Sequence, residues 1–166
     1  MAWCRSQGCA TIADSHTLTG NPQALIAAGQ PVEAYGLLAP LLGELDIFFT
    51  SADEARMIRN TLDAGHADHA LDTREACLRF LDFVSGRFAP ASSGRTRLFG
   101  VTVKNGAYAR LVGPDGAVGP SVFCASRFMV GGVVDLVGAG DSFRAGLVAY
   151  VARHRSAFAS GAFSVE

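Results

Sequence analysis

Apolar and polar positions along this chain change period several times, and each change predicts an element. Residues 9–13 (Cys-Ala-Thr-Ile-Ala) form a short apolar run that ends at Asp14 and predicts a buried strand. Polar residues from Ser15 to Asn21 predict a loop. Pro22 suits the first turn of a helix running to Ala28, where Gly29-Gln30-Pro31 breaks it. Leu37, Leu38, Leu41 and Leu42 predict one apolar face of a second helix over 33–42. The run Leu45-Asp46-Ile47-Phe48-Phe49 predicts a strand. Ser51-Ala52-Asp53-Glu54 has the form of a capping box, which places a helix over 52–62. Residues 63–72 are polar and predict a connection. Residues 73–84 read as an amphipathic helix with Ala76, Leu78, Phe80, Leu81 and Val84 toward the core.

After a loop at 89–94 the character changes. Strands are predicted over 97–103 and 107–112 around the hairpin signal Asn105-Gly106, and over 117–122 after the turn Pro114-Asp115-Gly116. Residues 135–146 (Asp-Leu-Val-Gly-Ala-Gly-Asp-Ser-Phe-Arg-Ala-Gly) then read as a strand end, a turn of small residues and a closing helix over 143–151. Strand–helix alternation with a small hairpin region predicts an α/β fold with a largely parallel sheet. Phe48, Phe49, Phe80, Phe83 and Phe88 are read as core.

Composition narrows the function classes. A chain of 166 residues can bury one real core. Its net charge of −1 makes no electrostatic case for nucleic acid or an anionic membrane. No apolar run approaches the ~20 residues that span a bilayer, and the N-terminus lacks the regions of a signal peptide. The cysteines at 4, 9, 77 and 124 are too scattered for metal-ligand spacing and read as reduced thiols of a cytoplasmic protein.

The chemistry concentrates in the turn 138–141. Gly138, Ala139 and Gly140 carry almost no side chain, so their amides can approach a ligand, and the following helix aims its positive end at them. Asp141 sits inside this anion site, where a carboxylate has work to do if it accepts a proton from a hydroxyl beside a phosphoryl group. The bland reading is an Asp-capped connection. A dinucleotide-binding turn wants a small residue where Phe143 stands, and the Gly-Lys-Ser/Thr ending of a P-loop is absent. His66 and His69, with Asp63, Asp68 and Asp72, read as a solvated face in preference to a metal site. Asp14-Ser15-His16 are neighbours in sequence, which is not how triad members meet.

Residues 135–148 resemble the C-terminal signature of the ribokinase-like (PfkB) carbohydrate kinases, Asp-x-x-Gly-Ala-Gly-Asp before a helix. Two upstream segments match in order. Residues 45–57 (LDIFFTSADEARM) are similar to the family's strand followed by Asn-x-x-Glu and a helix. Residues 101–111 (VTVKNGAYARL) are similar to its strand, Lys-x-Gly turn and return strand. The chain departs at Leu136, where Thr is common, at Ser51 for Asn, and at Ala109 for the second Gly.

The resemblance implies an ATP-dependent phosphotransferase acting on a hydroxyl of a sugar, sugar-derived molecule or nucleoside. Asp141 matches the catalytic base, and Gly138, Ala139 and Gly140 match the anion hole for the transferring phosphoryl group. Glu54 matches the carboxylate that organises hydrated Mg²⁺, although a pure helix cap explains it equally well. Ser51, Lys104, Asn105 and Gly106 match positions near the nucleotide, with a solvated strand end the competing reading for Lys104. Arg144 is placed either to reach a phosphate or on an exposed helix face. ATP and Mg²⁺ are the implied cofactors, with a monovalent cation such as K⁺ as a further candidate. The resemblance covers only the middle-to-late part of the family fold, so a fragment or shortened member is expected, incomplete at both ends. Missing edge elements would expose apolar surface and favour self-association or a homodimer. The alternative is a non-catalytic nucleotide-binding or interaction remnant.

Overall fold

The computed structural model describes residues 2–15, 20–63, 65, 72–89, 93–127 and 138–163. The readings at His16, over 66–71 and at the strand end 135–137 lie outside the described residues. Five strands, β1 (Ile12–Asp14), β2 (Ile47–Ser51), β3 (Arg97–Val103), β4 (Gly106–Val112) and β5 (Val118–Ala125), form one open sheet in chain order. β1, β2 and β3 run parallel, whereas β3, β4 and β5 are antiparallel. The sheet is therefore evenly mixed and not largely parallel. Short turns join the last three strands, and a short turn can only join antiparallel neighbours.

Alternation along the strands divides the core between two faces. Phe48, Phe99 and Val101 pack with Tyr35, Met57, Ile58, Phe80 and Leu81 on one side. That side is covered by α2 (Pro22–Ala27), α3 (Glu33–Gly36), α4 (Ala39–Leu42), α5 (Ala52–Leu62) and α6 (Thr73–Phe88). Ile47, Phe49, Leu98, Ala107 and Ala109 face the other way, against Val151, Phe158 and Phe163. These last come from α7 (Ala139–Arg153), α8 (Arg155–Ser160) and the residues after α8. A further short helix, α1 (Ala2–Ser6), precedes β1.

The predicted helix over 33–42 is two short helices. Pro40 falls in the first turn of α4, where its missing N–H costs nothing, but it cannot continue a helix from α3. Leu42 is fully buried while Leu37 is 74% exposed, so the expected four-leucine face does not form. β1 covers only the end of the predicted run, and β2 starts two residues late, at Ile47. Asp46, just before β2, is drawn into a buried network, accepting from Thr11 N (2.8 Å), Thr11 Oγ1 (3.0 Å) and Arg95 Nε (2.6 Å). α6 continues a turn beyond its predicted end, to Phe88. There its last carbonyl accepts from Arg97 Nη1 at 2.9 Å. Arg97 is almost wholly buried and also donates to Leu42 O and Leu45 O. Burial pushes its guanidinium below the ordinary pKa.

No disulfide joins the cysteines among the described residues. Burial pushes the Cys77 thiol up from 9.0 to about 11, because a thiolate would be desolvated on the inner face of α6. Its proton is held more tightly in the folded state, so this contribution to stability is intact below pH 9 and is lost as pH rises toward 11. Between pH 9 and 10 the folded state should lose about 1 kcal/mol through this group. Urea midpoints of the wild type and Cys77→Ala across that interval check this. The wild type should fall more steeply, and parallel curves would contradict the assignment.

Candidate functional site

The motifs read from the sequence meet at one edge of the sheet. β1, β2 and β3 are parallel and in register, so Asp14, Ser51 and Val103 end at the same edge. The β3–β4 turn (104–105) and the first turn of α5 therefore lie at that edge. In open α/β sheets, the carboxyl ends of parallel strands are where ligands bind.

α5 begins there because Ser51 and Glu54 cap it reciprocally. Ser51 Oγ accepts from Glu54 N (3.3 Å), and Glu54 Oε2 accepts from Ser51 N (3.0 Å). The predicted box is thus formed, and the structure adds two hydroxyls that sequence reading did not connect. Thr50 Oγ1 and Ser15 Oγ lie 3.1 Å and 3.3 Å from Glu54 Oε2 and 2.6 Å from each other, so with one proton apiece one hydroxyl donates to the other and the second donates to Oε2. Glu54 is only 4% exposed. One carboxylate oxygen committed to the Ser51 amide and to the Ser15–Thr50 hydroxyl pair favours the capping role, and this geometry does not fit direct ligation of a cation through that oxygen. Among the described residues no group of three His, Cys, Asp or Glu side chains is placed to hold a metal ion. Asp63 pairs with Arg59 at 3.5 Å, and Asp72 caps α6, so both members of the His/Asp-rich stretch that are described have structural work.

The hairpin differs from its prediction by one residue. The turn is Lys104-Asn105, and Gly106 already pairs with Val103 as the first residue of β4. Neither Lys104 nor Asn105 has a positive φ, so this is not the turn that Asn-Gly favours. Gly106 is required instead by its other neighbour, since a Cβ there would lie 2.2 Å from Cys124 O on β5. Lys104 and Asn105 are exposed at the edge.

α7 starts earlier than predicted, at Ala139, so the small-residue turn belongs to the helix itself. Gly138 is its N-cap at φ 79°, a left-handed conformation that suits glycine, and no side chain caps the amides that follow. Gly138, Ala139, Gly140 and Asp141 are all exposed. The seat of the helix comes from Phe143, whose ring lies 5.3 Å from that of Phe49 on β2. Arg144 ties it down further. Its Nη1 donates to Asp141 Oδ1 at 2.9 Å, and its Nη2 pairs with Asp14 at the end of β1. Gly140 leaves room for this arrangement, since a Cβ there would stand 3.2 Å from Arg144 Nη1.

Asp141, the small-residue turn 138–140 and Asp14 thus share one locality, with Arg144 as the link. Glu54, Ser51 and the Lys104–Gly106 turn share the same sheet edge, but no hydrogen bond or ion pair joins them to Asp141 among the described residues. The Asp14–Arg144–Asp141 chain is what sequence reading missed. Only the three-residue spacing of Asp141 and Arg144 hinted at it.

No helix among the described residues is long and apolar enough to cross a membrane. No family model matches the chain, and no curated protein matches it either.

Proposed function

We propose that the chain carries the phosphate-handling part of a ribokinase-like phosphotransferase, in which a hydroxyl of a sugar or nucleoside attacks the terminal phosphoryl group of ATP. The observation that carries this reading is the uncapped N-terminus of α7 at the carboxyl edge of the parallel strands, with Asp141 in its first turn. Free amides at 139–141 fit an anion, and they are preorganised by the glycine at 138. Asp141 is 83% exposed, so an acceptor hydroxyl can reach it as general base. Arg144 holds the Asp141 carboxylate toward β1 and carries a guanidinium within reach of the same locality. Mg²⁺, where it enters with the nucleotide, would supply charge neutralisation between phosphates. Glu54 offers it no direct oxygen through Oε2, which favours a part for Glu54 through water.

The open setting of 138–141 favours a second reading, a nucleotide-binding unit without turnover, since phosphoryl transfer profits from exclusion of water. Calorimetric titration with Mg·ATP tests the shared premise. Saturable binding is expected, and Gly140→Val should weaken it about tenfold or more by screening the amides and displacing Arg144. A folded chain with no heat of binding, or equal affinity in the variant, would overturn the phosphate site. Turnover with a panel of sugars and nucleosides then separates the two readings.

A further inference from the structure

The opposite edge of the sheet, where β1, β2 and β3 begin, holds a cavity of about 590 Å³ under the C-terminal half of α7. Its size is in the range of small-molecule sites, about 300–1,000 Å³. One wall is apolar: Ile12 from the edge strand, Val148 and Val151 from α7, and Phe158 from α8. Ile12 and Val148 are 39% and 44% exposed, the largest apolar exposure that these two elements turn toward one shared space.

The polar groups around this wall are not balanced. Asp46 accepts from both Thr11 donors and from two guanidinium nitrogens of Arg95, so its hydrogen bonds go to those residues and none goes to Arg155. Arg155, on α8 across the cavity, donates to Gly8 O at 3.1 Å and meets no carboxylate among the described residues. Two arginines and one aspartate leave one positive charge facing an apolar wall. A guanidinium with no carboxylate on it, beside an apolar cavity, matches a ligand with an anionic head and an apolar body.

We propose that this cavity is a binding site for a small amphipathic organic anion, of the carboxylate class, with its head on Arg155 and its body against Ile12, Val148 and Val151. The site is separate from the phosphate-handling edge and does not rest on the kinase reading. Cys9 lines the cavity with an exposed thiol, while Cys124 is exposed on β5, outside the cavity lining. The two thiols make a built-in reporter and control.

The test follows alkylation of each cysteine by iodoacetamide in the folded chain, resolved by peptide mass, with octanoate or octanol as probe. Octanoate should slow Cys9 in a saturable way and leave Cys124 unchanged, and octanol should be clearly weaker. Arg155→Gln should raise the half-protecting octanoate concentration about tenfold or more, while Arg155→Lys retains most of the protection. Arg155 is exposed, so both variants should keep the wild-type melting temperature. Absence of protection in the folded chain would overturn the proposal. Equal protection by octanol, or protection indifferent to Arg155→Gln, would reduce the site to an apolar cavity without anion recognition and overturn it too. Parallel slowing of Cys124 would show a nonspecific detergent effect, with the same consequence.

Discussion

If the proposed phosphotransferase reading holds, Asp141→Ala is expected to lower phosphoryl transfer by about 10²- to 10⁴-fold while leaving the fold intact. The two halves of this expectation have different physical origins. The stability half follows from exposure: Asp141 is 83% exposed, and its partner Arg144 keeps Asp14 when the carboxylate is gone. No charge is orphaned in the interior, and an exposed pair contributes on the order of 1 kcal/mol or less. The activity half follows from position. A base in the first turn of α7 lies beside the amides that would hold the phosphoryl oxygens, so its loss removes proton acceptance without removing the anion site. Mg·ATP affinity should therefore survive in Asp141→Ala, because the carboxylate repels an anion that the amides attract. The measurement is turnover with whichever sugar or nucleoside supports it, alongside thermal unfolding of the same preparation. Retained turnover in a folded variant would remove Asp141 from the role of base.

What could be read ahead of the structure was local. The Ser51–Glu54 box and the start of α5 depend on four consecutive residues, and both stand where they were expected. The long helix α6 was legible from its apolar period, and the hairpin strands from the turn signal between them. The Gly-Ala-Gly-Asp segment was legible as a small-residue turn ahead of a helix, although the helix itself starts within it, at Ala139. Features that depend on register across the sheet were not. Asp14 meets Arg144 only because β1 ends beside the first turn of α7. Ser15 and Thr50 reach Glu54 only because β1 and β2 are parallel neighbours. Arg97 looked like an ordinary strand start, yet it is buried where the carbonyl ends of α4 and α6 converge. Leu37 failed in the opposite sense, since helical spacing around Pro40 promised burial that a broken helix could not supply. The parallel fraction of the sheet was overestimated because strand–helix alternation dominates the first half of the chain and hairpins the second.

Gly100→Ala, at a residue with no proposed ligand contact, is expected to disturb the proposed phosphate site through packing alone. Ordinarily alanine is the better residue within a strand, by about 0.5–1 kcal/mol. Here the sign should reverse. A Cβ on Gly100 would lie 2.0 Å from Phe49 Cε1 and 2.3 Å from its Cζ, well inside contact distance. The Phe49 ring cannot step aside freely, because it is 5% exposed and Phe143 packs on it at 5.3 Å. Overpacking of this kind costs about 1–3 kcal/mol. The strain passes to Phe143, which seats the first turn of α7, and so to the amides at 139–141 and the Arg144–Asp141 pair. Loss of stability and weaker Mg·ATP binding should therefore appear together. Phe49→Leu removes the ring that occupies the glycine's space, so Gly100→Ala should cost little in that background, a coupling measurable as a double-mutant cycle. Additive effects of the two substitutions, or a Gly100→Ala chain as stable as the wild type, would show that the ring does not depend on the glycine. In that case the link from β3 through Phe49 and Phe143 to the small-residue turn would fall.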